Sequence, residues 1–136
     1  MSIESEIAAY MRGLYRAVGA TLKTDVLDAA REKIVEQLND YDWTQSRGEA
    51  VGSGGLRDRQ QIVGEVWRDG DTFTMQVVDE AEFQKQPRSA GDELADVVTE
   101  GDEAYHMPYP RPFMDPAERA IDLDDALGNG LRKRGY

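Results

Sequence analysis

Apolar residues recur at Ile3, Ile7, Met11, Leu14, Val18, Leu22, Val26, Ala30, Ile34, Leu38 and Tyr41, spaced by threes and fours with no charge on the series. That spacing places every member on one face of an α-helix over residues 3–41. Unbroken, such a helix is about 58 Å long at 1.5 Å per residue, longer than a compact globule of this size is wide, so it either projects or breaks. The weak place is Val18 to Asp25, where Gly19 costs about 1 kcal/mol relative to Ala and Thr24 or Asp25 can cap a second helix. The stripe keeps its phase across that point, which favours one long helix, bent there, over an antiparallel hairpin.

Residues 42–59 lose all periodicity and carry Gly48, Gly52, Gly54 and Gly55. They read as a Gly-rich loop, and it lacks the Lys and Ser/Thr ending of a phosphate-binding loop. From Gln60 the period becomes two. Asp69-Gly70 signals a two-residue hairpin turn that pairs Arg68 with Asp71, Val66 with Phe73, Gly64 with Met75 and Ile62 with Val77. One face of that hairpin is apolar. The other mixes Glu65, Thr72, Thr74 and Gln76 with Val63 and Trp67, a side open to solvent or to a neighbouring subunit. A third strand is expected at Leu94–Thr99, making 60–99 the sheet region. Asp115, Pro116 and Glu118 have the spacing of an N-cap, first-turn proline and capping-box acid. They start a helix over 115–128 that Gly128-Asn129-Gly130 closes. The whole of 1–136 reads as one domain.

Composition narrows what such a domain does. Among its 136 residues are 27 acids against 16 Lys and Arg, for a net charge of −11, and it has no Cys and a single His. Thiolate chemistry, disulfides and Cys- or His-rich metal sites are excluded. No stretch approaches the roughly 20 apolar residues of a membrane span, and the start carries no signal-peptide pattern. The average field repels phosphate, which argues against a groove-reading nucleic-acid binder. The acidity is Asp-rich and Lys-poor, with 12 Arg to 4 Lys. This balance resembles proteins that work in molar salt, where the Debye length shrinks to about 3 Å.

No constellation supports catalysis, a metal or a cofactor. His106 has no Ser or Cys partner in a recognisable motif. Asp122, Asp124 and Asp125 lack the ligand alternation and closing Glu of a calcium loop. Acid pairs such as Asp79-Glu80 are commonplace in so acidic a chain. The segment 104–114, AYHMPYPRPFM, instead gathers Tyr105, Tyr109, Phe113 and three Pro around Arg111. Pro-stiffened backbone with aromatic and Arg anchors is the composition of a docking strap, and equally of a loop packed under its own helix. The tail 131–136 reverses the local charge with Arg132, Lys133 and Arg134.

Two motifs within this order of elements carry a resemblance. Ser53-Gly54-Gly55-Leu56-Arg57 is similar to the Thr-Gly-x-Leu-Arg signature that follows the long N-terminal helix in the tail-completion (neck, head-tail joining) proteins of long-tailed phages, with Ser53 in place of Thr. Arg111-Pro112-Phe113-Met114-Asp115-Pro116-Ala117 resembles the Arg-Pro-Phe and Pro-Ala signature that opens their C-terminal helix. Ala81-Glu82-Phe83 matches in part the acidic and aromatic region between the two. The resemblance implies an α+β fold, with the long helix packed on a small antiparallel sheet and a short C-terminal helix. It also implies a structural virion protein, not an enzyme, that forms a ring, six-membered in expectation, between a head-side connector or adaptor and the tail terminator or tail tube. DNA would pass through the lumen without sequence-specific binding, and the protein would reside in the virion neck or tail after assembly in the host cytoplasm. With the halophilic composition, the virus would infect a haloarchaeon. Leu56, Arg57, Trp67, Tyr105, Tyr109, Arg111, Pro112, Phe113, Arg132, Lys133 and Arg134 are the expected interface residues, the basic tail reaching an acidic patch on a neighbour. The competing expectation is a small acidic adaptor or regulatory protein that takes a partner through its amphipathic helix.

Overall fold

The computed structural model describes residues 2–41, 55–81, 94–101 and 110–136. It is an α+β structure. Helix α1 (Ile3–Thr21) runs through a π-helical turn (Leu22–Val26) into α2 (Leu27–Asn39), so the segment is helical without a break. A 3₁₀ turn (Arg59–Gln61) leads into the hairpin β1 (Ile62–Asp69) and β2 (Thr72–Asp79); short helices α3 (Leu94–Glu100) and α4 (Met114–Ala120) follow, then α5 (Leu123–Lys133). Where the sequence reads as one domain, the chain gathers into two compact units: residues 1–29, 64–76 and 122–136 form the first, and 30–63 with 77–121 the second.

The long helix starts on a side-chain cap. Ser2 Oγ accepts the Ser5 N–H at 3.1 Å, and Glu4 and Glu6 sit in the first turn, where the helix dipole favours acids. The expected weak place is present as the π-helical turn. Thr21 Oγ1 donates to the Ala17 carbonyl at 2.7 Å and Thr24 Oγ1 to that of Ala20 at 2.8 Å, and the Leu27 N–H reaches Leu22 O, one residue beyond the α-helical partner. Hydroxyls that occupy backbone acceptors loosen the regular ladder. The helix widens there and goes on.

In the first unit, Tyr15 packs on Phe73 with ring centroids 5.9 Å apart, and the Arg68 guanidinium lies 4.7 Å above the Tyr15 ring. A Cβ at Gly64 would approach Leu27 Cδ1 to 3.2 Å, so the bare glycine lets strand and helix meet closely. Helix α5 uses the same device: a Cβ at Gly130 would fall 2.6 Å from Asp25 Oδ2 and closer still to Thr21 Cγ2. Gly130 therefore does not close the helix as its sequence suggests. It is the position at which α5 meets the π-helical turn.

The second unit has the larger apolar core, made by Ile34, Leu38, Leu56, Ile62, Ala81, Val98, Phe113 and Ala117. The stripe members Ile34 and Leu38 enter this cluster, as helical spacing requires. Three expectations are corrected here. Leu94–Glu100 is a helix and not a third strand, since Ala95 and Val98 meet the core at a spacing of three while Glu100 is exposed. The helix expected at 115–128 is two helices: Phe113, fully buried, sets the first start through its carbonyl, which accepts the Ala117 N–H at 3.0 Å, and no side chain caps it. Ile121 then turns extended, and Asp122 caps α5 by accepting the Asp125 N–H at 3.0 Å.

The hairpin register is the third correction. Glu80 N–H donates to Gln61 O at 2.8 Å, and the two strands end at Asp69 and Thr72, so the turn residues are Gly70 and Asp71. Gly70 has φ 63°, the positive value that both primed turn types require at their first central position. Ile62 thus lies opposite Asp79, Val66 opposite Met75 and Arg68 opposite Phe73. The two-residue shift from the expected pairing preserves the faces, because side chains alternate with period two.

The contrast between two glycines of α5 tests this packing. Gly130→Ala is expected to lower the unfolding free energy by about 1–3 kcal/mol through overpacking. Gly128→Ala meets only the end of the Arg132 side chain at 3.6 Å and should raise it by about 1 kcal/mol. Urea unfolding of both variants measures the difference.

Candidate functional site

The stripe that builds the cores continues beyond them. Ala17, Leu22, Val26, Leu27, Ala30, Ile34 and Leu38 are all at most 7% exposed, whereas Ile3 is 72%, Ile7 58% and Tyr10 59% exposed. The Tyr136 ring packs against Tyr10 at 5.7 Å, extending this apolar row onto the C-terminus. Ile3, Ile7 and Tyr10 stand at helical spacing on one side of α1, all exposed, with Tyr136 beside the last of them. The charges of this stretch are balanced. Between Ser2 and Arg16 lie Glu4, Glu6, Arg12 and Arg16, no net charge in a chain of −11. A surface of that kind can approach another acidic subunit without the repulsion that the rest of the chain would impose.

The outer face of the hairpin presents Trp67, about half exposed, across from Thr74 in the observed register. Its exposure there agrees with the outer face that the alternation assigns to it. Pro112 is exposed too, and its carbonyl accepts the Tyr41 hydroxyl at 2.7 Å, which fastens the entrance of α4 to the residue beyond α2.

Other expected interface residues turn inward. Leu56 and Phe113 are fully buried in the core of the second unit, and Arg111 is 6% exposed with its N–H donating to Val98 O at 2.8 Å. Their motifs hold the fold together. In the turn Gly55–Asp58, Leu56 seals the core while Arg57 Nη1 donates to Asn39 Oδ1 at 2.7 Å, joining that turn to the last residue of α2. Tyr105, Tyr109 and His106 lie outside the described residues, as do most of the Gly-rich loop and of the 104–114 strap.

The basic tail is engaged within its own chain. Arg134 Nη1 donates to Asp25 Oδ2 at 2.7 Å and its Nη2 to Thr24 Oγ1 at 3.0 Å; Lys133 Nζ lies 3.3 Å from Asp25 Oδ1. Arg132 is held by Asn129 Oδ1. The Arg134 hydrogen bond in particular draws the Asp25 carboxyl below the usual range, and Lys133 adds to it. Lys133 remains 70% exposed and Arg132 exposed, so these two still face solvent while Arg134 clamps α5 to the π-helical turn.

One acid that the sequence offers only as half of a commonplace pair is buried. Asp79 ends β2 on the inward row, between Val77 and Ala81 and opposite Ile62, and is 8% exposed. Its Oδ1 accepts the Ala81 N–H at 3.1 Å, and its Oδ2 has no hydrogen-bond partner among the described residues. Burial, with the nearby Asp58 carboxylate adding to it, raises its pKa to about 7 against the Ala81 hydrogen bond. The signal was present in the alternation Val77-Asp79-Ala81, which puts an acid on an apolar row. Among the described residues no group of three or more His, Asp or Glu is placed to hold a metal ion. Comparisons of the chain with family models, with curated proteins and with solved structures find no match.

The clamp at Asp25 has a pH signature. Because the folded carboxyl titrates below the unfolded one, its stabilisation is present above about pH 4 and is lost as pH falls through the lowered folded value. Asp25→Asn should remove that part of the acid-unfolding profile and cost about 1 kcal/mol or less at neutral pH, the pair being partly exposed. Circular dichroism against pH for both proteins checks it.

Proposed function

We propose that this chain is a structural, non-catalytic subunit of the neck of a tailed virus, assembling as a ring between a head-side connector or adaptor and the tail terminator or tail tube. The apolar row Ile3, Ile7 and Tyr10 carries the proposal: a capped helix keeps these side chains more than half exposed, with Tyr136 packed against Tyr10 alone among them. Identical acidic subunits need an uncharged apolar contact to associate, and this segment supplies one. The likeness of the Ser53–Arg57 and Arg111–Ala117 motifs to those of tail-completion proteins supports the same reading, as does the order of long helix, hairpin and C-terminal helices. An acidic conduit suits the role, because carboxylates do not bind the phosphates of a passing genome. The Asp-rich, Lys-poor surface points to a haloarchaeal host, with the subunit made in its cytoplasm and retained in the virion.

The adaptor reading draws on the same exposed row, occupied by a partner helix instead of a neighbouring copy. Light scattering over a salt series separates the two. The neck reading expects a closed oligomer, several times the 15.2 kDa protomer, favoured by molar salt, where repulsion is screened within about 3 Å. Ile7→Asp should return that species to the monomer without lowering the helix content. A particle no larger than a dimer at every salt concentration would favour the adaptor and contradict the ring.

A further inference from the structure

We infer that the contact between subunits is head-to-tail, with a basic face of α1 formed by Arg12, Arg16 and Lys23 seated on the acids Asp122, Asp124 and Asp125 that open α5 of a second copy. The inference rests on the ring reading above and adds which surfaces meet. From Ile7 to Thr24 the chain holds these three cations and no acid, although 27 of its 136 residues are acids. Arg16 stands one turn beyond Arg12 and Lys23 about three turns beyond it, so the three share one face of the helix, and all are exposed. Among the described residues no carboxylate pairs with any of them, while Asp25 of the same unit is taken by Arg134 and Lys133. The Arg68 guanidinium over the Tyr15 ring adds a fourth cation to this unit, with Asp69 and Asp71 following at the hairpin tip.

Two copies do not meet through this face about a two-fold axis, because that would set like charges against one another. Its complement is a different surface of the neighbour, and such a heterologous contact, repeated until the rotation closes, makes a ring. The densest exposed acids of the first unit are Asp122, Asp124 and Asp125, three in four residues. Asp122 Oδ1 accepts the Asp125 N–H as a cap, and the Asp124 and Asp125 carboxylates meet no cation among the described residues. Leu123 among them is 51% exposed, an apolar centre inside a charged rim, as interfaces are built.

These acids do not serve their own chain's cations. Helix α5 runs back along α1, with Gly130 at Thr21 and Tyr136 at Gly13 and Tyr10, so its first turn points away from Arg12 and Arg16. At 3.6 residues per turn the basic face lies about 170° around α1 from Ile3, Ile7 and Tyr10. The helix thus offers an apolar side and a basic side, as a subunit with a neighbour on each side requires. Guanidinium and carboxylate in contact are screened less than the long-range field, so molar salt removes the repulsion of the −11 chain before it removes the pairs. Duplex phosphate is the other anion that a row of cations suits, and the same net charge opposes it.

Charge reversal tests the pairing, read by light scattering of the full chain in molar salt with helix content followed by circular dichroism. Arg12→Glu with Arg16→Glu, and Asp124→Lys with Asp125→Lys, should each need roughly tenfold more protein than the natural chain to form the large species, at unchanged helix content. Mixed in equal amounts, or combined in one chain so that the net charge returns to −11, the two reversals should bring that species back. Absence of this recovery in folded protein would overturn the pairing. A large species indifferent to both reversals but dispersed by Ile7→Asp would also sink it while leaving the ring reading in place; single subunits at every salt concentration would end both. Retention of duplex DNA by the natural protein, lost in Arg12→Glu with Arg16→Glu at unchanged particle size, would assign the face to phosphate instead.

Discussion

One constraint orders this molecule: an apolar stripe on a single long helix must be covered, and the described chain covers it only in part. Its members Leu22, Val26, Ala30, Ile34 and Leu38 are buried, the last two in the core that Val98 and Ala117 of the short helices complete. The close approaches at Gly64 and Gly130 exist because strand and helix are drawn onto that stripe. Toward the N-terminus the stripe passes from the half-buried Leu14 and Met11 to the exposed Ile7 and Ile3, with Tyr10 beside them, all held helical by the Ser2 cap and the first-turn acids. Local capping preserves the helix there while its apolar side stays exposed.

Charge sets the second condition. A chain of −11 must fold and associate against its own field, and each buried or clamped acid here is handled differently. Asp25 is ionised between Arg134 and Lys133 and ties the C-terminal helix to the π-helical turn. Asp79 is set against no cation among the described residues and favours its proton. Across Ser2–Arg16 two acids and two bases cancel, so the exposed row lies in a stretch without net charge.

Much of the fold was legible because periodicity is a local signal. The helix, the hairpin and its inward face follow from apolar spacing alone, and the weak place near Gly19 was visible as well. The errors have tertiary causes. Leu94–Glu100 contains enough Val to suggest a strand, but its core contacts come from Ala95 and Val98 at helical spacing. Asp115 has capping chemistry, yet the burial of Phe113 starts the helix earlier and Asp122 caps the next one. The turn slipped by one position because Gly70 serves as its first residue. At the site, Leu56, Arg111 and Phe113 were read as interface because they stand in motifs, and a motif does not say whether its residues seal a core or meet a partner. The tail cations were legible as charge, but Asp25, more than a hundred residues earlier, was not legible as their partner.

Electron microscopy of the purified protein in molar salt bears most directly on the claim that the uncovered stripe seats one subunit against identical copies. The account expects annular particles of uniform diameter in natural protein and their absence in Ile7→Asp. A field of isolated single subunits in both, under the salt that screens their repulsion, would contradict it.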